Sequence, residues 1–244
     1  MSLDQPSRRA FLAGSVVTLG AGGAYYFTRS DSDEDTAHAQ SATFHSSDET
    51  SPLGVDLAGK AIMGSPDAPL ELYYWTDFQC PFCEQFERET LPNLVSEYVE
   101  PGQVRIVFVP LAYFGADSMT AAVASKCVWD QVREDEPTAY WNWHTAVFDE
   151  QGEKNAGWAA TDNLIEYTRS VSGVDAEALE SCLEDRRSEL EAEVETDGER
   201  AQSLRVSGTP TFIVFNPAAE TAGRLVGAQP NDRFDEAIER IEDA

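Results

Sequence analysis

Residues 70–83 restrict the folds open to this chain more than any other stretch. Leu70–Thr76 (Leu-Glu-Leu-Tyr-Tyr-Trp-Thr) is dense in aromatic residues and reads as a strand. Shortly after it, Cys80-Pro81-Phe82-Cys83 opens a segment with apolar residues at Phe82, Phe86, Leu94, Val95, Tyr98 and Val99. That is helical spacing, with a kink expected at Pro92. Residues 104–109 (Val-Arg-Ile-Val-Phe-Val) form a second strand, closed by Pro110. Strand, helix, strand in that order predicts a parallel βαβ unit with two cysteines at its first strand-to-helix turn.

Two cysteines at a helix start have a direct chemical logic. The first sits where unpaired backbone N–H groups and the helix dipole favour a thiolate. The second lies one turn inward, placed to attack a mixed disulfide formed by the first. Pro81 suits the first turn, where its missing N–H is not needed. Cys80 is therefore expected to be an exposed nucleophile and Cys83 the resolving thiol. A structural zinc site would want four ligands, commonly as two close pairs, whereas the two other cysteines, Cys127 and Cys182, are far apart. A purely structural Cys80–Cys83 bridge would gain little from so short a loop. By count alone, four cysteines allow three pairings.

Residues 118–132, 138–148, 162–171, 175–183 and 189–204 read as helices. Residues 211–215 (Thr-Phe-Ile-Val-Phe) return to strand, 224–226 form another short one, and 232–241 close with a helix. Two β-rich stretches around a helical middle predict an α/β domain over residues 55–244, with a helical subdomain inserted at about 115–205. Trp141, Trp143 and His144 fall in the second of these helices and are expected to be packing residues, His144 also a hydrogen-bonding one.

The N-terminus speaks to compartment. Ser7-Arg8-Arg9-Ala10-Phe11-Leu12 precedes a mildly apolar, glycine-containing run to Phe27, the pattern of a twin-arginine export signal. Residues 1–27 are expected to be such a signal, either cleaved or kept as a membrane anchor. An Ala37-His38-Ala39 step has the form of a cleavage site but lies far from the apolar run. Residues 28–54 are polar and acidic, with little to bury, and predict a disordered linker.

Composition narrows the partners. A net charge of −27, from 44 acidic and 17 basic side chains, repels nucleic-acid phosphates and excludes that class of partner. Only Lys60, Lys126 and Lys154 are lysines. Such an acidic, lysine-poor surface predicts a protein adapted to high salt, where screening shortens charge repulsion to ~3 Å.

Asp77-Phe78-Gln79-Cys80-Pro81-Phe82-Cys83, then Phe108-Val109-Pro110-Leu111, then residues 206–212 (Val-Ser-Gly-Thr-Pro-Thr-Phe) together resemble the DsbA-type branch of the thioredoxin superfamily. Ala121-Ala122 leading to Cys127, and Tyr140-Trp141-Asn142-Trp143-His144 leading to Phe148 and Gln151, are similar to that branch's helical insertion. The likeness runs from about Val55 to the C-terminus. It implies a thioredoxin fold with an inserted all-helical subdomain. It also implies a thiol–disulfide oxidoreductase with catalytic Cys80 and Cys83 and no dissociable cofactor. Pro210 matches the family's cis-proline, so Thr209 and Pro210, with Pro81 and Phe82, are implied to meet substrate. Cys127 and Cys182 are implied to form a structural bridge, as cysteines at similar places do in some relatives. Exported proteins with thiols or disulfides, and a membrane redox protein that resets the pair, are the implied partners.

Two positions depart from the family pattern. Phe82 stands where strongly oxidising members have histidine, and Tyr74 stands where the superfamily often has a buried carboxylate. A reductase or isomerase of the same fold, or a binding module without activity, are the alternatives. Intact Cys80 and Cys83 weigh against the last.

Overall fold

A computed structural model describes residues 42–244. The twin-arginine segment and residues 28–41 lie outside the described residues.

A six-stranded mixed sheet forms the frame. Its strands are β1 (Phe44–His45), β2 (Ile62–Met63), β3 (Leu70–Thr76), β4 (Val104–Pro110), β5 (Thr211–Asn216) and β6 (Thr221–Val226), in the spatial order β1-β2-β4-β3-β5-β6. β3 and β4 are parallel, in register from Leu70 opposite Val104 to Thr76 opposite Pro110. β5 runs antiparallel to β3, and β6 antiparallel to β5. Every residue of β3 is buried, as befits a central strand covered on both faces. Its single charge, Glu71, pairs with Arg105 directly across the register and accepts from the Tyr73 hydroxyl.

The two-residue period of β3 sorts its side chains between two cores. Leu70, Leu72 and Tyr74 join the larger core under the helices. Tyr73 and Trp75 pack on the other face with Val107, Val109, Ile213 and Phe215.

Helix α1 (Pro81–Glu89) starts on Cys80 as its N-cap, with proline in the first turn. It stops at Thr90, whose φ is −117°, and a short α2 (Leu91–Leu94) restarts with Pro92 in its first turn. Pro92 has no N–H to continue the ladder, so the expected kink is a full break. A π-helical turn over Val95–Val99 then leads towards β4. Phe82 does not belong to the apolar face of this segment; it is 59% exposed.

Between β4 and β5 run five helices: α3 (Ala116–Val132), α4 (Ala139–Asp149), α5 (Thr161–Thr168), α6 (Ala176–Asp185) and α7 (Arg187–Ser203). α3 is buried along most of its length, with α6, α7 and α4 packed around it. Its alanines permit that close approach. Cys127 of α3 is bonded to Cys182 of α6, with Cα atoms 5.9 Å apart. The closed loop of 55 residues is worth ~4 kcal/mol in the chain-entropy model. Helix α8 (Asn231–Glu242) closes the fold, its Phe234 packed against Phe86 and Phe212. This is the thioredoxin fold with an inserted helical subdomain.

The linker expected over residues 28–54 is corrected for its described part. From Ala42 onward the chain is built into the domain: β1 pairs with β2, and Ala42, Phe44 and Ser51 are buried. Phe44 is the reason. Its ring lies 6.0–6.4 Å from those of Phe108, Trp129, Tyr140 and Trp141, so one large side chain anchors an otherwise polar stretch. Among the described residues no helix is long and apolar enough to cross a membrane.

Candidate active site

Cys80 lies where β3 gives way to α1. The backbone N–H groups of Cys83 and Glu84 donate to its carbonyl at 3.0 and 3.1 Å, and those of Phe82 and Cys83 also lower the pKa of its thiol. The Thr209–Pro210 bond is cis, and the loop carrying it brings the Thr209 carbonyl oxygen to 3.2 Å from the Cys80 sulfur. The structure thus gathers Cys80, Cys83, Pro81, Phe82, Thr209 and Pro210 at one place. Cys127 and Cys182 form a separate bridge within the insertion.

One expectation fails here. Cys80 is 1% exposed, not an exposed nucleophile, because the Thr209 loop folds over its sulfur. What faces solvent is a rim. Phe82, Tyr113 and Val226 are large apolar side chains left exposed among the described residues. Tyr113 and Val226 border the loop, the Tyr113 hydroxyl donating to the Ser207 carbonyl at 2.6 Å and Val226 lying opposite Thr211, while Phe82 sits between the two cysteines.

The two thiols are pushed apart in acidity. Hydrogen bonding from Cys83 chiefly, with the Thr209 side chain and the helix-start N–H groups, brings the Cys80 thiol down from 9.0 to about 6 against the opposing effect of burial. Burial above all holds the Cys83 thiol well above its ordinary value. A reactive thiolate beside a protonated partner is the arrangement that nucleophilic attack and resolution require.

A polar network fixes the turn that carries Cys80. Asp77 accepts at one oxygen from the Gln79 N–H and the Ser118 hydroxyl, both at 2.8 Å. At its other oxygen it accepts from the N–H groups of Tyr113 and Phe114, at 2.7 and 3.2 Å. Gln151 donates to the carbonyls of Phe78 and Cys80 at 2.6 and 3.3 Å. Gln79 accepts from the Asn155 N–H at 2.6 Å and donates to Ser118. The insertion therefore grips the active-site turn through side chains from α3 and from the segment after α4. Asp77 had a local signal, since an aspartate bonding two residues on makes an Asx turn. Ser118 and Asn155 had none. His144, Trp141 and Trp143 are all buried packing residues; the Trp143 indole donates to the Thr168 hydroxyl at 2.8 Å.

The thioredoxin family model matches residues 57–239. The "Disulfide bond formation protein D" of Bacillus subtilis (strain 168) is 27% identical over 158 residues, covering 65% of this chain and 68% of that protein. A "Probable disulfide bond formation protein D" of Bacillus cereus is 28% identical over 153 residues, covering 62% and 68%. The oxidised structure of BdbD from Bacillus subtilis superposes with a TM-score of 0.65 at 26% identity, covering 76% of this chain and 94% of that one. Chlamydia trachomatis DsbA superposes with a TM-score of 0.63 at 20% identity, covering 75% and 91%, a likeness of fold alone.

Proposed function

The chain belongs to the thioredoxin family and is a thiol–disulfide oxidoreductase, and we propose that Cys80-Pro81-Phe82-Cys83 is its redox centre, acting on exported proteins outside the cytoplasmic membrane. The observation that carries this reading is the pairing of Cys80, its thiol lowered to about 6, with a deeply buried, protonated Cys83 one turn further on. In the oxidised protein a substrate thiolate attacks Cys80, Cys83 leaves as a thiolate and is protonated, and a second substrate thiolate then displaces Cys80. The pair gains two electrons and the substrate gains a disulfide. The cysteines carry the electrons themselves, so no dissociable cofactor is required.

Phe82, Tyr113 and Val226 give this site an apolar rim suited to unfolded chains, with Thr209 offering backbone beside the reacting sulfur. A disulfide between Cys127 and Cys182 persists in an oxidising compartment, which supports placement outside the cytoplasm. The domain would be released or tethered by residues 1–27, reset by a membrane redox protein, and adapted to high salt. Nucleic acid is no partner of so acidic a chain. A reductase or isomerase role is the second reading, favoured by Phe82, which cannot hydrogen-bond to the Cys80 thiolate as a histidine would.

The test is trapping. Cys83→Ser should accumulate long-lived mixed disulfides through Cys80 with a reduced or oxidised unfolded protein substrate, and Cys80→Ser should accumulate none. Equal trapping by both variants, or by neither, overturns the assignment.

A further inference from the structure

A substrate sulfur must reach Cys80, yet Cys80 is 1% exposed beneath the Thr209 loop. The loop therefore has to lift before any exchange. Ser207, Gly208 and Thr209 each have their carbonyl tied. That of Thr209 accepts from Cys80 itself at 3.2 Å, and that of Gly208 from the Thr211 hydroxyl at 2.7 Å. That of Ser207 accepts at 2.6 Å from the Tyr113 hydroxyl, which comes from the segment after β4. The first bond is lost whenever Cys80 ionises or joins a disulfide, because its sulfur then has no proton to donate. The Tyr113 bond outlasts it.

Tyr113 also borders a groove. A cavity of about 380 Å³ opens beside it, between the segment after β4 and α7. Its floor is apolar: Leu111, Val194 and Val206 are buried, and Met119 is partly so. Leu111 and Val206 belong to the smaller core, on the face of the sheet away from α1. Glu195 and Glu199, one turn apart on α7, stand exposed at its edge. Neither carboxylate makes an ion pair among the described residues.

Gly198 points the same way. It lies in the interior of α7, where glycine weakens a helix relative to alanine. Packing does not demand it, since no atom lies within 4 Å of the position its Cβ would take. What the missing side chain does is leave one wall of the groove open, between Glu195 and Glu199. A helix that gives up stability there keeps space free for something that enters.

We propose that this groove takes an apolar side chain of the substrate near its reacting cysteine, and that Tyr113 couples its entry to the uncovering of Cys80. This rests on Cys80 being the sulfur that the substrate attacks. An apolar side chain settling on the floor displaces the Tyr113 ring, its hydroxyl leaves Ser207, and the loop carrying Thr209 lifts. The Tyr113–Ser207 bond is exposed, so both partners pass to water and no buried polar group is left unpaired. No proton or electron moves in this step, which precedes the attack on Cys80. Glu195 and Glu199 favour a basic residue beside the apolar one and repel an acidic one. The preferred substrates are thus unfolded segments with apolar and basic residues around the cysteine, and Tyr113 is a positioning residue.

In the reduced full chain, alkylation of Cys80 by iodoacetamide is followed by mass spectrometry across its pH profile. Tyr113→Phe should raise the plateau rate ~3- to 10-fold, the scale of one hydrogen bond, without moving the midpoint. An unchanged plateau overturns the latch. In the oxidised full chain, kcat/KM is compared for two cysteine peptides, one flanked by leucine and arginine and the other by glycine and serine. The first should be oxidised ~10-fold or more efficiently, the discrimination one apolar side chain gives in a pocket. Tyr113→Phe should narrow that ratio, because the loop no longer waits on the groove. A general loosening would speed both peptides alike and overturn the coupling. Gly198→Leu should also narrow the ratio by filling the groove, in a helix that leucine favours over glycine. Equal kcat/KM for the two peptides in the unmodified chain, or a ratio kept in Gly198→Leu, overturns the groove while leaving the redox pair standing. Oxidation of neither peptide overturns both.

Discussion

The Cys80 sulfur donates a hydrogen bond to the Thr209 carbonyl oxygen 3.2 Å away, across 129 positions of sequence. The same residue brings its hydroxyl towards that sulfur, and the hydroxyl has no other hydrogen-bond partner among the described residues. Once Cys80 ionises, the hydroxyl is free to turn its proton to the thiolate. Thr209→Val keeps the shape and removes that donor. It should raise the Cys80 thiol above about 6, read as a shift to higher pH in the alkylation rate of the reduced protein. An unchanged profile would show that the hydroxyl contributes nothing.

A second expectation concerns stability against pH. The folded Cys80 thiol titrates at about 6 against an ordinary 9.0. For a depressed acid, the stabilisation is complete above the unfolded value and is lost as pH falls through the folded one. The oxidised protein has no such thiol. The melting temperature of the reduced form, measured relative to the oxidised form, should therefore rise between pH 6 and 9. Cys83, shifted the other way, opposes this only above about 9. A difference that stays constant across that window would refute the depressed thiol.

Two of the three lysines of this acidic chain are buried around one carboxylate. Lys60 Nζ lies 2.7 Å from one oxygen of Asp197, and Lys126 Nζ lies 3.3 Å from the other and 3.2 Å from Glu193. Burial lowers the Lys60 ammonium, while Asp197 is the chief group supporting its charge. Asp197→Ala would strand Lys60 and leave Lys126 with Glu193, and should cost ~3–5 kcal/mol, the scale for a broken buried pair. Urea unfolding of the oxidised protein measures it. A loss below ~1 kcal/mol would place the cluster with ordinary surface pairs.

Salt should matter more than usual. At a net charge of −27, carboxylates repel across ~30 Å in 0.01 M salt and ~3 Å in 1 M salt. The melting temperature of the oxidised protein should climb steeply from low to molar potassium chloride. Screening by itself saturates near molar salt, so a further rise would point to preferential hydration. A flat or falling series would remove the adaptation to salt and leave the redox centre untouched.

What the sequence determined by itself is the part written in short-range pattern. The aromatic run of β3, the helical spacing after Cys83, the proline in the first turn and the apolar strands around residues 104–110 and 211–216 each act within one element. Local periodicity suffices for these, because burial on a strand or helix repeats every two or three to four residues. Strands β1 and β2, two residues each, were beyond that reach, since no period shows in so short a span. Phe44 joins the core only because four distant rings receive it.

The tertiary structure alone decided the depth of Cys80, the grip of Asp77, Gln151 and Asn155 on its turn, and the pairing of Glu87 with His144. Each depends on partners from separate elements, from 36 positions apart for Asp77 and Tyr113 to 129 for Cys80 and Thr209. A hydrogen bond is indifferent to the chain length between its ends, so its partner leaves no spacing in the sequence. Only the packing of the helical insertion, the segment after β4 and the loop before β5 around the start of α1 brings such groups together.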